Sequence, residues 1–197
     1  MAVVGVLLAP GAGADRAQPA LVAIDQALAA AGHVCRRMDF PYRKTGRRTP
    51  DREPVLLRAV VDEVAAFGAD SGLDPKGFVL GGRSMGGRMC SLAVAERLVS
   101  ARGLILISYP LHPPGRPDRL RTDHFPALTM PCLFVSGTRD SFGTPGELEA
   151  ATATIPGSVT HVWVEGKDHG LRGTEQEVAQ VVLDWIRSRW RGRRPRG

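Results

Sequence analysis

Residues 81–86 read Gly81-Gly82-Arg83-Ser84-Met85-Gly86 and contain the pattern Gly-x-Ser-x-Gly. It follows an apolar run, Phe78-Val79-Leu80, and precedes a helix-like stretch. This context predicts a sharp strand-to-helix turn that lifts the Ser84 hydroxyl out of the sheet edge. Side chains two residues before and after the serine would collide with neighbouring backbone, and Gly82 and Gly86 occupy those positions. The stretch is therefore typical of a nucleophile elbow.

Strand-like and helix-like patterns alternate along the rest of the chain. A continuous apolar run predicts a strand at residues 3–8, and further strands are predicted at 33–38, 103–107, 133–135 and 161–164, besides the one before the elbow. Helical spacing of apolar residues is clearest at Leu57, Val60, Val61 and Val64, after Pro54 at the expected first turn. This alternation predicts a single α/β domain with a mostly parallel sheet of about six strands and helices on both faces.

Ligands of such sheets bind at the carboxyl ends of the strands. The loops expected at that edge are residues 9–17, 39–53, 82–84, 109–126, 137–146 and 165–173. The longest of them, 109–126, is rich in proline and too short for a separate domain. We therefore expect minimal or no cap domain and an open pocket.

A serine hydroxyl is a weak nucleophile at neutral pH and needs a base within hydrogen-bond reach. Of the five histidines, His169 follows the last predicted strand at the correct edge, and we interpret it as the base for Ser84. The acid should follow the preceding strand, where Asp140 lies, and should hold the imidazole in one tautomer. Glu165 and Asp168 are the weaker alternatives.

Two backbone N–H groups are predicted to bind the negative charge that develops during attack. One is the N–H of Met85, after the nucleophile, and the other is that of Ala12, in the loop after the first strand. The glycines at 11 and 13 also resemble a dinucleotide-binding loop, but Arg16 replaces its third glycine. A spacing like that of a phosphate-binding Walker A loop, from Gly77 to Ser84, is rejected because its variable residues form a strand.

Substrate contacts are predicted from the polar residues at the same edge. Basic side chains cluster at Arg43, Lys44, Arg47, Arg48 and Arg52. Together with Arg83 and Arg139, which flank the expected catalytic positions, they would attract an anionic acyl or leaving group. The other interpretation is a set of solvated arginines paired with neighbouring carboxylates. Tyr109 and His112, in the proline-rich loop, complete the predicted substrate contacts.

The net charge of +6 comes from 26 basic and 20 acidic residues and is concentrated at the C-terminus. The excess consists of Arg187, Arg189, Arg191, Arg193, Arg194 and Arg196. We therefore expect a domain over 1–186 and a basic tail over 187–197, which ends the last helix and is then disordered. A solvated tail is favoured over a nucleic-acid contact.

Other features of the sequence indicate a cytoplasmic protein. No apolar run approaches the roughly 20 residues of a membrane helix, so no membrane partner is expected. The apolar start lacks a basic segment and is interpreted as a strand instead of a signal peptide. Cys35, Cys90 and Cys132 are odd in number and widely spaced, which argues against disulfides and a metal site. No cofactor is expected.

Four motifs carry a resemblance that covers most of residues 3–186. They lie at 82–86, at 108–115 (Ser-Tyr-Pro-Leu-His-Pro-Pro-Gly), at 136–140 (Ser-Gly-Thr-Arg-Asp) and at 168–169 (Asp-His). They resemble the α/β-hydrolase fold and, more narrowly, the small hydrolase family of testis-expressed protein 30 and NSL complex subunit 3, related to dienelactone hydrolases. Many relatives have histidine where this chain has Pro10.

The resemblance implies a serine hydrolase that cleaves a small carboxylic ester or thioester through an acyl-enzyme. It supports Ser84 as nucleophile, Asp140 as acid and His169 as base. Some members of the resembling family are assembly subunits without a clear catalytic task. The alternative hypothesis is therefore a catalytically idle binding module that keeps the fold.

Overall fold

Six strands form one sheet in the computed structural model, which describes residues 3–190. The strands are β1 (Gly5–Ala9), β2 (Val34–Arg37), β3 (Val79–Arg83), β4 (Gly103–Ile107), β5 (Cys132–Gly137) and β6 (Val159–Val164). Their order across the sheet is β2-β1-β3-β4-β5-β6, and every neighbouring pair is parallel. The prediction of a mostly parallel sheet of about six strands is confirmed.

The helices are α1 (Pro19–Ala30), α2 (Pro41–Lys44), α3 (Glu53–Ser71), α4 (Met85–Ala95), α5 (Pro145–Thr152) and α6 (Glu175–Arg189). Proline lies in the first turn of α3, as predicted, and Gly72 ends that helix in the left-handed conformation. Thr144 and Glu147 form a capping box at the start of α5. The four-residue helix α2 was not expected; it lies inside the predicted basic loop.

Successive strand side chains point to opposite faces and build two apolar cores. On one face, residues such as Val6 and Ile105 pack with the buried stripes of α1 and α6. On the other face, residues such as Leu7 and Leu104 pack with α3 and α4. The helices therefore cover both faces of the sheet, as the alternation predicted.

The order of the strands reverses between β1 and β3. After β1 the chain forms β2 on one side, then returns to form β3 on the other side of β1. Loops leaving the carboxyl ends of these two strands diverge and leave a crevice, which is where such sheets bind ligands. The loop containing Ala12 leaves β1 and the elbow containing Ser84 leaves β3, so both border this crevice.

The long connection between β4 and β5 does not form a separate layer. Within residues 3–190, its regular structure is limited to a 3₁₀ turn at Phe125–Ala127, in agreement with the expected absence of a cap.

Among these residues, no helix combines the length and the apolar content needed to cross a bilayer. The first part of the expected tail continues α6 to Arg189, and residues 191–197 lie outside the described part of the chain.

Candidate active site

Ser84 lies on the sharp turn between β3 and α4. Its backbone has φ 49° and ψ −117°, a conformation that costs a non-glycine residue about 1–3 kcal/mol. A Cβ on Gly82 would lie 2.0 Å from the carbonyl oxygen of Ala9, and one on Gly86 would lie 2.2 Å from the same oxygen. The backbone of β1 thus leaves no room for side chains at either position. The predicted strand-to-helix turn is confirmed.

The structure brings Ser84, His169 and Asp140 into one hydrogen-bonded series. His169 Nε2 lies 2.9 Å from Ser84 Oγ, and His169 Nδ1 lies 2.8 and 3.0 Å from the two carboxylate oxygens of Asp140. Asp140 is 2% exposed, and its Oδ1 also accepts the backbone N–H of Phe142 at 2.8 Å. With the Nδ1 proton directed at the carboxylate, Nε2 is left as an acceptor for the serine hydroxyl.

Two further side chains fix the loop that carries His169. The Arg83 guanidinium donates a hydrogen bond to the backbone carbonyl of His169, and burial lowers the pKa of this arginine. The ring of Phe142 stacks on the imidazole with centroids 4.0 Å apart. Both contacts restrict the imidazole, so Arg83 and Phe142 are positioning residues for it.

The alternative acids lie elsewhere. Oδ1 of Asp168 accepts the N–H of Gly170 at 2.8 Å, which closes a turn within its own loop. Asp168 and Glu165 are both exposed, whereas the buried carboxylate against His169 belongs to Asp140.

Within residues 3–190, no group of three or more histidine, cysteine or acidic side chains could hold a metal ion.

On the opposite side of Ser84, the loop after β1 is held by two neutral side chains. The N–H of Gly11 donates to Gln18 Oε1 at 3.0 Å, and the N–H of Gly13 donates to Tyr42 Oη at 3.1 Å. The N–H of Ala12, between them, has no acceptor among the described residues. The two glycine contacts therefore fix the loop and leave one donor free.

A second free donor comes from the start of α4. The N–H of Met85 is among the first of that helix, which have no intrahelical acceptor and carry partial positive charge. Met85, Ala12 and Ser84 line the same cavity. The arrangement can bind an oxyanion that develops at a carbon attacked by Ser84.

The cavity at Ser84 has a volume of about 420 Å³, which lies within the range of small-molecule sites. Phe142 and His169 form one part of its lining, and Pro110, Arg88 and Arg121 form another. Its dimensions and its position at the strand ends suit a small ligand.

Of the four predicted substrate contacts, Arg83 lines this cavity and the other three do not. Tyr109 is 2% exposed and packs in the core with Phe125, because the chain turns inward after β4. His112 is 5% exposed, with Nδ1 2.9 Å from the carbonyl oxygen of Pro113. Arg139 is exposed and borders a separate surface recess.

In the basic loop before α3, two of the five cationic side chains have carboxylate partners, and Lys44, Arg48 and Arg52 are exposed. Arg43 forms an ion pair with Asp15 at 3.1 Å, and Arg47 forms one with Asp51 at 2.7 Å. These contacts agree with the second interpretation of the loop, in which its arginines are solvated and paired.

Four cavity residues were not predicted from the sequence: Arg88, Pro110, Arg121 and Phe142. Two of them had a signal: Arg88 lies one helical turn after Ser84, and Phe142 follows Asp140 by two residues in the same loop. The place of Arg121 depends on the path of the irregular β4–β5 connection, for which the sequence has no periodic pattern.

The comparison with protein families agrees with this architecture. Residues 2–185 match the alpha/beta hydrolase domain family, which is nearly the whole chain. The protein therefore belongs to the alpha/beta hydrolases. The narrower resemblance to testis-expressed protein 30 and NSL complex subunit 3 stays a prediction.

Solved structures share the fold at low sequence identity. A dienelactone hydrolase from Anabaena variabilis is 20% identical with a TM-score of 0.73, covering 95% of this chain and 87% of that one. A thermophilic esterase from Thermogutta terrifontis, solved with malate bound, is 21% identical with a TM-score of 0.70, covering 94% and 90%. An alpha-beta serine hydrolase homologue from Coxiella burnetii is 17% identical with a TM-score of 0.75, covering 93% and 85%.

Proposed function

We propose that this alpha/beta hydrolase cleaves a carboxylic ester or thioester through an acyl-enzyme on Ser84. The observation that carries the proposal is the contact of 2.9 Å between His169 Nε2 and Ser84 Oγ, with Asp140 bound to the other ring nitrogen. Ser84 and Asp140 thus lie within hydrogen-bond distance of opposite ring nitrogens of His169, as a nucleophile and an orienting acid require of a shared base. Membership of the hydrolase family supports the same conclusion.

In the first half-reaction, Ser84 Oγ attacks the substrate carbonyl carbon while His169 Nε2 takes the hydroxyl proton. The carbonyl oxygen becomes an oxyanion and accepts the N–H groups of Ala12 and Met85. Asp140 stabilises the imidazolium that forms. When the tetrahedral intermediate collapses, the bond to the leaving oxygen or sulfur breaks and His169 protonates that atom. An alcohol or thiol departs, and the acyl group stays on Ser84.

In the second half-reaction, water replaces the leaving group. His169 takes a proton from water as the water oxygen attacks the acyl carbon, and the same two N–H groups again bind the oxyanion. Collapse breaks the bond to Ser84 Oγ, which recovers its proton from His169. The products are a free carboxylic acid and the resting enzyme.

The proposal includes a small substrate and a reducing, cytoplasmic location. The open cavity of about 420 Å³ and the short connections around it support a small-molecule ester or thioester. The cysteines Cys35, Cys90 and Cys132 are all unpaired thiols, which fits a reducing compartment. Burial raises the pKa of Cys90 and of Cys132 to about 12, so neither is an alternative nucleophile near neutral pH.

A fluorophosphonate probe tests the proposal, because it reacts with an activated serine and leaves other serines unmodified. We expect one label per chain, on the peptide that contains Ser84, and no label in Ser84→Ala. Ser100→Ala is the matched control, since this exposed serine lies before β4 at the opposite edge of the sheet. A folded wild-type protein that resists the probe contradicts the proposal and favours the idle binding module.

A further inference from the structure

The cavity beside Ser84 contains guanidinium groups that the proposed reaction does not use. Its lining includes three arginines, and one of them, Arg83, already donates a hydrogen bond to the backbone carbonyl of His169. The other two are Arg88 and Arg121. None of the side chains that line the cavity is a carboxylate.

Arg88 projects from α4 on the same side as Ser84. Its backbone N–H donates to the carbonyl of Ser84 at 3.1 Å, so the two residues lie one helical turn apart. Helical side chains incline toward the N-terminus of their helix, which directs the Arg88 side chain back over the elbow. Its Nη2 lies 2.9 Å from Glu53 Oε2, while its Nε is buried without a partner. The side chain of Glu53 is 45% exposed, so this carboxylate only partly neutralises Arg88.

Arg121 enters the cavity from the connection between β4 and β5. Backbone groups hold it in place: its N–H donates to the carbonyl of Leu111 at 2.8 Å, and its own carbonyl accepts the hydroxyl of Tyr109. Its Nη1 donates to the carbonyl of Pro110 at 3.3 Å. In the described part of the chain, no carboxylate forms an ion pair with its guanidinium. Arg121 and Arg88 line the same cavity, and burial and then the charge of Arg88 lower the pKa of Arg121.

The cavity is therefore an electropositive recess whose charge has no counterpart on its walls. The carboxylate of Asp140 is bound to His169, and Glu53 lies outside the lining. Two guanidinium groups that face a partly buried space are well matched to a planar, bidentate anion. Arg43 and Arg47, in the basic loop before α3, are each paired with a carboxylate, whereas Arg121 of the cavity has no such partner among the described residues.

We infer that Arg88 and Arg121 bind a carboxylate carried by the substrate, so that the enzyme acts on small esters or thioesters with a free carboxylate. This inference rests on the proposed function for the reaction at Ser84. The carboxylate belongs either to the acyl part or to the leaving group, and the two sources call for different model substrates.

Two pairs of model substrates separate these sources. Monoethyl adipate against ethyl pentanoate places the charge on the acyl part, and 4-acetoxybenzoate against phenyl acetate places it on the leaving group. We expect wild-type protein to favour the charged member of one pair by about tenfold or more in kcat/KM, as for a charged hydrogen bond of roughly 1.5–3 kcal/mol. The pair that shows the preference identifies the source.

Single substitutions test whether the preference for the charged substrate arises from the cavity arginines. Arg121→Gln should lower the ratio of charged to neutral kcat/KM about tenfold, whereas Glu53→Gln should raise it about twofold to fivefold by releasing Arg88. Arg119→Gln is the matched control, because this exposed arginine lies two residues away and does not line the cavity. Equal kcat/KM for both members of each pair, or a loss in Arg119→Gln as large as in Arg121→Gln, overturns the inference.

A binding measurement distinguishes failure of this inference from failure of the proposed reaction. Ser84→Ala protein should bind adipate in calorimetry, with affinity about tenfold weaker in Ser84→Ala/Arg121→Gln and unchanged in Ser84→Ala/Arg119→Gln. Adipate binding by a protein that resists the fluorophosphonate refutes the reaction and retains the carboxylate site. Fluorophosphonate labelling without binding of adipate or, where the second pair shows the preference, of 4-hydroxybenzoate retains the reaction and overturns the carboxylate site.

Discussion

The two sides of Ser84 are built in different ways. On the base side, a buried carboxylate, Asp140, holds His169 by a charged contact at 2.8 Å. On the oxyanion side, the neutral groups of Gln18 and Tyr42 accept the N–H groups that flank Ala12. In the proposed reaction, the first side determines which proton moves, and the second determines where negative charge is bound. Changes on the base side should therefore alter pH dependence, while changes on the oxyanion side should alter only the rate.

The largest difference between the two sides should come from Asp140→Asn. An amide lacks the negative charge that stabilises the imidazolium, and its NH2 group can donate to Nδ1 and hold His169 in the wrong tautomer, so we expect kcat to fall about 10³- to 10⁴-fold. Hydrolysis of p-nitrophenyl acetate across pH 5–9 measures both kcat and its pH dependence.

The neighbouring Asp168→Asn is the control for this change. Asp168 is exposed and closes only its own turn with Gly170, so kcat and its pH dependence should stay near those of the wild type. A loss in Asp168→Asn as large as in Asp140→Asn would show that the acid has been assigned to the wrong residue.

An intermediate effect is expected from Gln18→Ala and Tyr42→Phe. Each change removes an acceptor beside Ala12 but keeps the Ala12 N–H, so kcat should fall about tenfold, less than the 10²–10³ that follows loss of a donor. The midpoint of the pH–rate profile should not move. Gln26→Ala, exposed on the same helix as Gln18, provides the control. A displaced midpoint would show that the oxyanion side also controls the base.

The smallest effect on catalysis should come from His124→Gln, because His124 lies on neither the base side nor the oxyanion side of Ser84. Burial, and then the charge of Arg88, lower its pKa from 6.5 to about 4. The unfolded chain binds a proton below pH 6.5 that the folded state excludes, so stability is complete near pH 7 and falls as the pH drops from about 6.5 to 4.

Thermal unfolding in that window measures this effect. His124 should account for on the order of 2 kcal/mol of the lost stability, so His124→Gln should show a shallower fall in Tm than the wild type. Rates of Ser84 labelling at pH 7.5 should be equal in both proteins. A fall in Tm just as steep in His124→Gln would assign the acid sensitivity to other groups.

The sequence predicted the residues whose position depends on local pattern. The central strands have apolar runs, and Asp140 and His169 each lie in the loop after a strand, so the parallel sheet places both at the edge of Ser84. Boundaries were less accurate: β6 begins at Val159 instead of 161, because its side chains are only partly buried and the apolar signal is weak at its start.

The cavity wall could not be predicted in the same way. Ser108 takes a left-handed conformation with φ 47°, for which a serine has no sequence signal, and the following Tyr109 is buried. The path of the connection after it brings Arg121 into the cavity. Which arginines are paired with carboxylates depends on tertiary contacts, such as those of Arg43 with Asp15 and of Arg88 with Glu53, and the sequence has no pattern for these contacts.

The proposed reaction requires an intermediate in which Ser84 carries the acyl group. Rapid mixing of the protein with p-nitrophenyl acetate, acid quenching and mass analysis of the peptides measures this intermediate. We expect one acetyl group per chain on the peptide containing Ser84, together with an early release of one p-nitrophenolate per chain. Ser84→Ala should show no acetylated peptide and no early release. Hydrolysis that proceeds with Ser84 unmodified at every quench time would contradict the proposed reaction.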